Sequence, residues 1–278
     1  MKKSNVIIYN ELERLTLISK KKRNIDTDPL SIVKAYKGSS NQELIGWIVS
    51  SLSYGRVTVM MPAIKAIISS MGKSPASWAL ERDASHINSH FKKHHPEWKY
   101  RFHTATDIGL WVGSWRSLVK QRPLEEWFSK SQGGSMDSRL SLLIADLKKN
   151  LPESRGIRFN LANPTLGSAA KRWRMMLRWF IRNEFPDLGI WDGSLAEDLI
   201  IPVDTHIHRI SGYLGMHHSK IANNRTATQI TQVLKTFNPR DPLKYDFPLS
   251  HMGIDGRCPT QQDSHKCRLC GFYKVCLR

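Results

Sequence analysis

Every cysteine of this 278-residue chain lies in its last 21 positions, as Cys258, Cys267, Cys270 and Cys276, with the spacing C-x8-C-x2-C-x5-C. Four thiols so close in sequence constrain that stretch to one compact loop. Such a set can serve a single four-coordinate metal site, either a structural zinc or a cubane iron–sulfur cluster. Zinc sites usually pair two short Cys-x2-Cys knuckles. Only Cys267 and Cys270 form one here, so iron–sulfur is the better match and zinc the weaker alternative. Two disulfides would require an oxidising compartment. The opening residues, Met1-Lys2-Lys3, Val6-Ile7-Ile8-Tyr9 and the acidic Glu11 and Glu13, lack the apolar region of a signal peptide. No run approaches the ~20 apolar residues of a membrane helix. The expectation is a cytoplasmic protein with reduced thiols and no membrane partner.

Charge narrows the partners. Lysine and arginine exceed aspartate and glutamate by 42 − 24 = 18, with a sequence pI near 9.9. A field of that sign draws polyanions, of which nucleic acid is the commonest inside cells. An anionic membrane surface is the other candidate, but no amphipathic anchor stands out. The Lys20-Lys21-Lys22-Arg23 run reads as a solvated basic surface that could also touch phosphates.

The apolar periodicity is helical nearly throughout. Residues 41–53 read as a buried helix on Leu44, Ile45, Trp47, Ile48, Val49 and Leu52, and 59–71 as another on Ile64, Ile67, Ile68 and Met71. Leu110, Trp111 and Trp115 suggest a third within a stretch, 75–118, that holds five of the 11 histidines. Leu140, Leu142, Leu143 and Leu147 mark a fourth over 138–151, residues 186–202 read as a loop, and a helix starts near Asp204. With no period-two strands, the fold class is all-α.

Between residues 167 and 182 the sequence is GSAAKRWRMMLRWFIR. Gly167-Ser168 predicts a helix start with Ser168 as the cap. Trp173, Met176, Leu177 and Phe180 form an apolar stripe for the core, which puts Lys171, Arg174, Arg178 and Arg182 together on the opposite face. That face reads as a basic solvent stripe, with Arg174, Arg178 and Arg182 available to phosphates. Lys171 falls in the first turn, where a cation opposes the helix dipole. A lysine amine in such a place is a candidate nucleophile. Downstream, Val203-Asp204-Thr205-His206 places Asp204 or Thr205 as a helix cap, and His206 and His208 diverge too far on a helix to share one metal.

Gly167-x-x-x-Lys171, then Val203-Asp204-Thr205-His206, then the cysteine loop form an ordered triple. It resembles the helix-hairpin-helix DNA glycosylase superfamily, in particular the endonuclease III branch. The chain from about residue 28 onward also looks like a little-characterised bacterial branch of these enzymes. It shares Asp28-Pro29-Leu30, Ser51-Leu52-Ser53-Tyr54-Gly55-Arg56, Lys171-Arg172-x5-Arg178-Trp179 and Asp241-Pro242-x-Lys244-Tyr245-Asp246-Phe247. Three features depart from endonuclease III. Asn163-Pro164-Thr165-Leu166-Gly167 replaces the usual Leu-Pro-Gly-Val-Gly hairpin, the first cysteine gap is eight residues where that enzyme has about six, and Lys171 stands 33 residues before Asp204. The long lysine-to-aspartate spacing is similar to that of the archaeal-type 8-oxoguanine glycosylases.

The resemblance implies a two-lobed helical glycosylase fold with a C-terminal four-cysteine cluster loop. One lobe, 41–185, would be a helical barrel ending in the hairpin and the lysine helix. The other, 1–40 with 186–278, would carry the aspartate and the iron–sulfur loop. It implies a base-excision glycosylase with AP-lyase activity, acting as a monomer on double-stranded DNA that contains a damaged or modified base, and nucleoid-associated when on DNA. Lys171 would be the nucleophile, Asp204 the essential carboxylate, and Cys258, Cys267, Cys270 and Cys276 the ligands of a 4Fe-4S cluster. Gly167, Arg174, Arg178, Arg257, Lys266 and Arg268, with Lys274, would face the DNA backbone, and Tyr54 would line the base pocket. The rival reading is a non-catalytic nucleic-acid-binding module stapled by zinc or iron–sulfur.

Overall fold

The computed structural model describes residues 3–22 and 25–278; Met1, Lys2 and Arg23 of the basic run lie outside the described residues. The molecule is mostly helical, 64% of residues against 2% in strands. The helices are α1 (Lys3–Lys22), α2 (Leu30–Lys34), α3 (Ser39–Leu52), α4 (Val57–Ser69), α5 (Pro75–Leu80), α6 (Ala84–His94), α7 (Ala105–Gln121), α8 (Met136–Asn150), α9 (Arg155–Asn160), α10 (Lys171–Ile181), α11 (Thr205–Tyr213), α12 (Asn224–Phe237), α13 (Asp246–Ile254) and α14 (Ser264–Arg268). The strand-free reading missed a small hairpin, β1 (Lys99–Tyr100) against β2 (His103–Thr104). Two-residue strands leave no period to detect.

Helix α3 is apolar on every side, and Leu44, Ile45, Trp47, Ile48, Val49 and Leu52 are all fully buried. A helix of that kind belongs at the centre of a domain. It packs on α10, α2, α5 and α7. At the junction with α7 the Trp47 and Trp111 rings stack at 4.6 Å, and each indole N–H donates to the other residue's backbone carbonyl at 3.0 and 3.2 Å. Trp173 of α10 meets both rings edge-on. Three helices are thereby fixed in register by large side chains whose N–H groups are satisfied.

Local chemistry sets the helix starts. Thr104 and Asp107 form a reciprocal capping box at α7, and Ser135, Asp204 and Asn223 cap α8, α11 and α12 through their side-chain oxygens. Helix α10 is different. Ser168 was expected to cap it, but the helix begins at Lys171 behind Ala170, which sits in the left-handed region at φ 43°. The Ser168 hydroxyl accepts from the Ala170 amide at 3.1 Å, bending the chain two residues before the helix forms.

The two ends of the described chain meet. Glu13 of α1 binds Lys244 at 2.7 Å and the Tyr245 hydroxyl at 2.6 Å. Glu11, only 8% exposed, lies against Gly271, where an added Cβ would come within 2.2 Å of the carboxylate. No helix among the described residues is long and apolar enough to cross a membrane.

Candidate functional site

Lys171 is the first residue of α10 and half-buried, and its amine donates to the Ser53 carbonyl at 3.4 Å. Ser53 ends α3 and precedes Tyr54. The fold therefore brings together two residues 117 positions apart, the candidate nucleophile and the candidate pocket tyrosine.

Tyr54 is the centre of an aromatic cluster. Its ring lies parallel to Phe102 at 6.0 Å between centroids (12° between planes), edge-on to Phe159 at 4.7 Å, and tilted against Tyr100 at 5.2 Å. Phe159 also closes on Phe102 at 4.9 Å. Guanidinium groups cover the outside: Arg101 lies 5.7 Å from the Tyr54 ring, Arg155 4.3 Å from Phe102, and Arg172 3.8 Å from Phe159. The β1–β2 hairpin carries Phe102 at its turn, after Arg101 in the left-handed region at φ 53°. A groove of about 450 Å³ runs beside Phe102, bordered by Lys99, Arg101, Thr104 and Arg155.

Behind the rings lies a buried polar chain. The Tyr54 hydroxyl is 2.8 Å from His103 Nδ1, and His103 Nε2 is 2.9 Å from Asn160 Oδ1. Burial, opposed by the Asn160 hydrogen bond, pushes the His103 pKa down to about 4. A neutral imidazole satisfies both contacts in one tautomer, with Nε2–H donating to the amide oxygen and Nδ1 accepting from the phenol. Asn160 Oδ1 also accepts from Arg172 at 2.8 Å. Only the histidine-rich composition of 75–118 marked this region in the sequence, and composition says nothing about which histidine meets which tyrosine.

The arginine stripe is a correction. Arg174, Arg178 and Arg182 are 2%, 5% and 3% exposed, so they form neither a solvent face nor a phosphate-contacting one. Arg174 donates to both oxygens of Asp137 at 3.0 and 2.9 Å and to Asn224 at 2.6 Å. Arg178 joins Asp187 at 3.0 Å and Asp246, and Arg182 joins Asp241 at 2.7 and 2.9 Å and Asp187. Burial works against the Arg178 charge, but Asp187 and Asp246 outweigh it and hold its pKa above the ordinary value. Burial pushes Asp246 up to about 6 despite Arg178, and Asp204 is among the charges that add to the rise. That coupling puts Asp204 within electrostatic reach of the carboxylate held by α10.

Asp204 itself caps α11, accepting from the Ile207 amide at 2.7 Å through one oxygen. Its neighbour His206 packs on Gly253 of α13, where an added Cβ would sit 2.3 Å from Nδ1. At the hairpin, Gly167 is exposed and left-handed at φ 91°, but its amide is engaged with Pro164 O at 3.0 Å, its carbonyl with Asn224 N at 3.0 Å, and the Ser168 amide with Asn163 O at 3.2 Å. Those two amides are turned inward to close the turn and dock it on α12. A phosphate grip through the Gly167 amide is therefore not what the turn offers.

The cysteine loop contains no disulfide; all four thiols are free and partly buried. Cys270 interacts electrostatically with Cys258 and Cys276, and burial raises its pKa first of all. The donors suit a four-thiolate site, but among the described residues no three His, Cys, Asp or Glu side chains converge as a metal-binding group. Arg257, Lys266, Arg268 and Lys274 are exposed around the loop. The sequence reading passed over Arg209. From α11 it donates to Cys258 Sγ at 3.4 Å, to the Cys258 carbonyl at 2.8 Å and to the Pro259 carbonyl at 2.9 Å, tying the Asp204 helix to the loop. Its place five residues after Asp204 was visible, but its partner was not.

Residues 28–255 match a family model described as a protein of unknown function, DUF2400. The chain belongs to this family. The match takes in Lys171, Asp204, the aromatic cluster and the arginine ladder, and ends three residues before Cys258. No curated protein and no solved structure matches this DUF2400 chain.

Proposed function

We propose that the protein is a base-excision DNA glycosylase with AP-lyase activity, working on a damaged or modified base turned out of the duplex. The observation that carries the reading is the meeting of the Lys171 amine with the end of α3 beside Tyr54, at the edge of an aromatic cluster surrounded by cations. Extruding a nucleotide costs a few kcal/mol, least for a damaged base, and aromatic walls recover part of that by stacking.

In this reading Lys171 forms a bond to the anomeric carbon of the sugar as the glycosidic bond breaks, and the base leaves with the bonding pair and takes up a proton. Opening of the sugar ring converts the adduct to a Schiff base, and loss of the 3′-phosphate by β-elimination nicks the strand. Asp204, fixed at the head of α11, stabilises positive charge developing on the sugar and relays the proton. Cys258, Cys267, Cys270 and Cys276 would hold a 4Fe-4S cluster whose contribution is to fix the loop, presenting Arg257, Lys266, Arg268 and Lys274 to the phosphate backbone. The partition into a barrel lobe of 41–185 and a second lobe of 1–40 with 186–278 belongs to the same proposal.

The test is borohydride trapping on a panel of lesion-bearing duplexes with wild type and Lys171→Ala. A covalent adduct on one lesion, lost in the variant, is the expected result and identifies the substrate. Tight binding with no adduct on any lesion, unchanged in Lys171→Ala, would replace the enzyme with a binding module.

A further inference from the structure

Arg172 is partly buried, yet its hydrogen-bond partners are neutral: the Ser51 carbonyl at 2.7 Å, Asn160 Oδ1 at 2.8 Å and the Phe159 carbonyl. Among the described residues no carboxylate pairs with it, whereas Arg139, Arg174, Arg178 and Arg182 each have one. A partly desolvated cation lacking a counter-charge is stabilised by whatever acceptors a ligand brings to it. Three of its five N–H groups are engaged, leaving two. Its guanidinium is stacked on Phe159 and 5.6 Å from the Tyr54 ring, one residue along from Lys171.

The aromatic cluster beside it is anchored at Tyr54 and borders the groove at Phe102. Tyr54 is pinned through its hydroxyl to His103, and at Gly55 (φ +91°) an added Cβ would stand 2.8 Å from the Tyr100 hydroxyl. Phe102, parallel to Tyr54, rides on the hairpin turn, and Phe159 closes one side. Aromatic cages often take cations, but here each ring already faces a guanidinium. The electrostatics favour a flat ring that is neutral or electron-rich at its edge. Three cations, Lys99, Arg101 and Arg155, against two carboxylates, Asp107 and Glu153, line the adjoining groove, where phosphates of the same strand would lie on the cationic side.

We propose that Arg172 is a specificity-determining residue: with Tyr54, Phe102 and Phe159 it seats an unstacked nucleobase that has a carbonyl-rich edge, the two remaining N–H groups reading that edge. The identity of the ligand as a nucleobase rests on the base-excision reading. An arginine fork that meets paired acceptors discriminates strongly, because an incoming base without them leaves the donors unmatched.

The test compares binding of the full chain to duplexes that differ at one position, carrying uracil, hypoxanthine, 8-oxoguanine or a tetrahydrofuran abasic analogue. The base-bearing nucleotides have 2′-fluoro sugars that resist base loss. Wild type should bind at least one base-bearing duplex about tenfold more tightly than the abasic one. Arg172→Gln and Phe159→Leu should cut that ratio to within about twofold while abasic affinity holds. Arg172→Lys should restore melting temperature without restoring the ratio, since an ammonium lacks the fork. The proposal is overturned if wild type prefers no base in the panel, if the ratio survives Arg172→Gln, or if both affinities fall together with the melting temperature. A ratio lost in Arg172→Gln with nothing trapped by borohydride removes the glycosylase and keeps Arg172 as a base reader. Trapping with an unchanged ratio does the reverse.

Discussion

The two ends of α10 carry similar side chains and do opposite things. From Arg174 to Arg182 every guanidinium is sealed from water and matched to aspartates drawn from other segments. At the N-terminal turn, Lys171 and Arg172 meet only neutral acceptors, and Arg172 faces aromatic rings rather than acids. Matched charge holds helices in place, while unmatched charge beside an aromatic cluster is available to a ligand. Along one helix the boundary between architecture and chemistry falls between residues 172 and 174.

The sharpest way to break the comparison is Arg178→Ala. It strands Asp246 in a fully buried setting and leaves Asp187 to Arg182 alone, and breaking such a pair costs about 3–5 kcal/mol. Chemical denaturation should show a loss of that size, with any residual native protein still binding DNA. An unchanged denaturation midpoint would mean that the ladder is not structural.

His103 probes the other end through pH. Its folded pKa near 4 lies below the ordinary histidine value, so between about pH 4 and 6.5 the unfolded chain binds more protons than the folded one. The stabilisation from a neutral His103 is fully present above about pH 6.5 and is lost as pH falls toward 4, by about 3 kcal/mol at most. Replacing His103 with Gln should flatten the dependence of melting temperature on pH across that window. An identical slope in the variant would place the titrating group elsewhere.

The smallest effects should come from the cysteine loop. Arg257→Ala and Arg268→Ala, at exposed sites, should each reduce the salt dependence of DNA affinity by about one unit of log-log slope, with melting temperature unchanged. Arg174→Ala should leave that slope alone, because its charge is spent on Asp137. Equal slopes for all three variants would put the DNA on another face.

The sequence made one side of α10 readable. Trp173, Met176, Leu177 and Phe180 were expected in the core and are 4%, 1%, 1% and 0% exposed. The opposite side was misread because periodicity reports contrast within one helix, and the acids that bury Arg178 lie 9 and 68 residues downstream. The cap of α11 at Asp204 could be read directly, being a contact three residues long. Arg172 could not: its value as a site comes from an absence of acids that only the folded chain reveals. The His103–Tyr54 contact spans 49 residues and had no local signal either.

The packing of α1 has a consequence for synthesis. Its Glu13 waits for Lys244, 231 residues later, and Glu11 waits longer still for Gly271. At roughly 5–20 residues per second, the ribosome leaves that first helix without its partners for roughly 10–50 s. Through that interval Ile8, Leu12 and Leu15, all buried in the finished protein, have nothing of that late segment to pack against. Emerging chains of this protein should therefore depend on holdase chaperones from their first helix until their last loop appears.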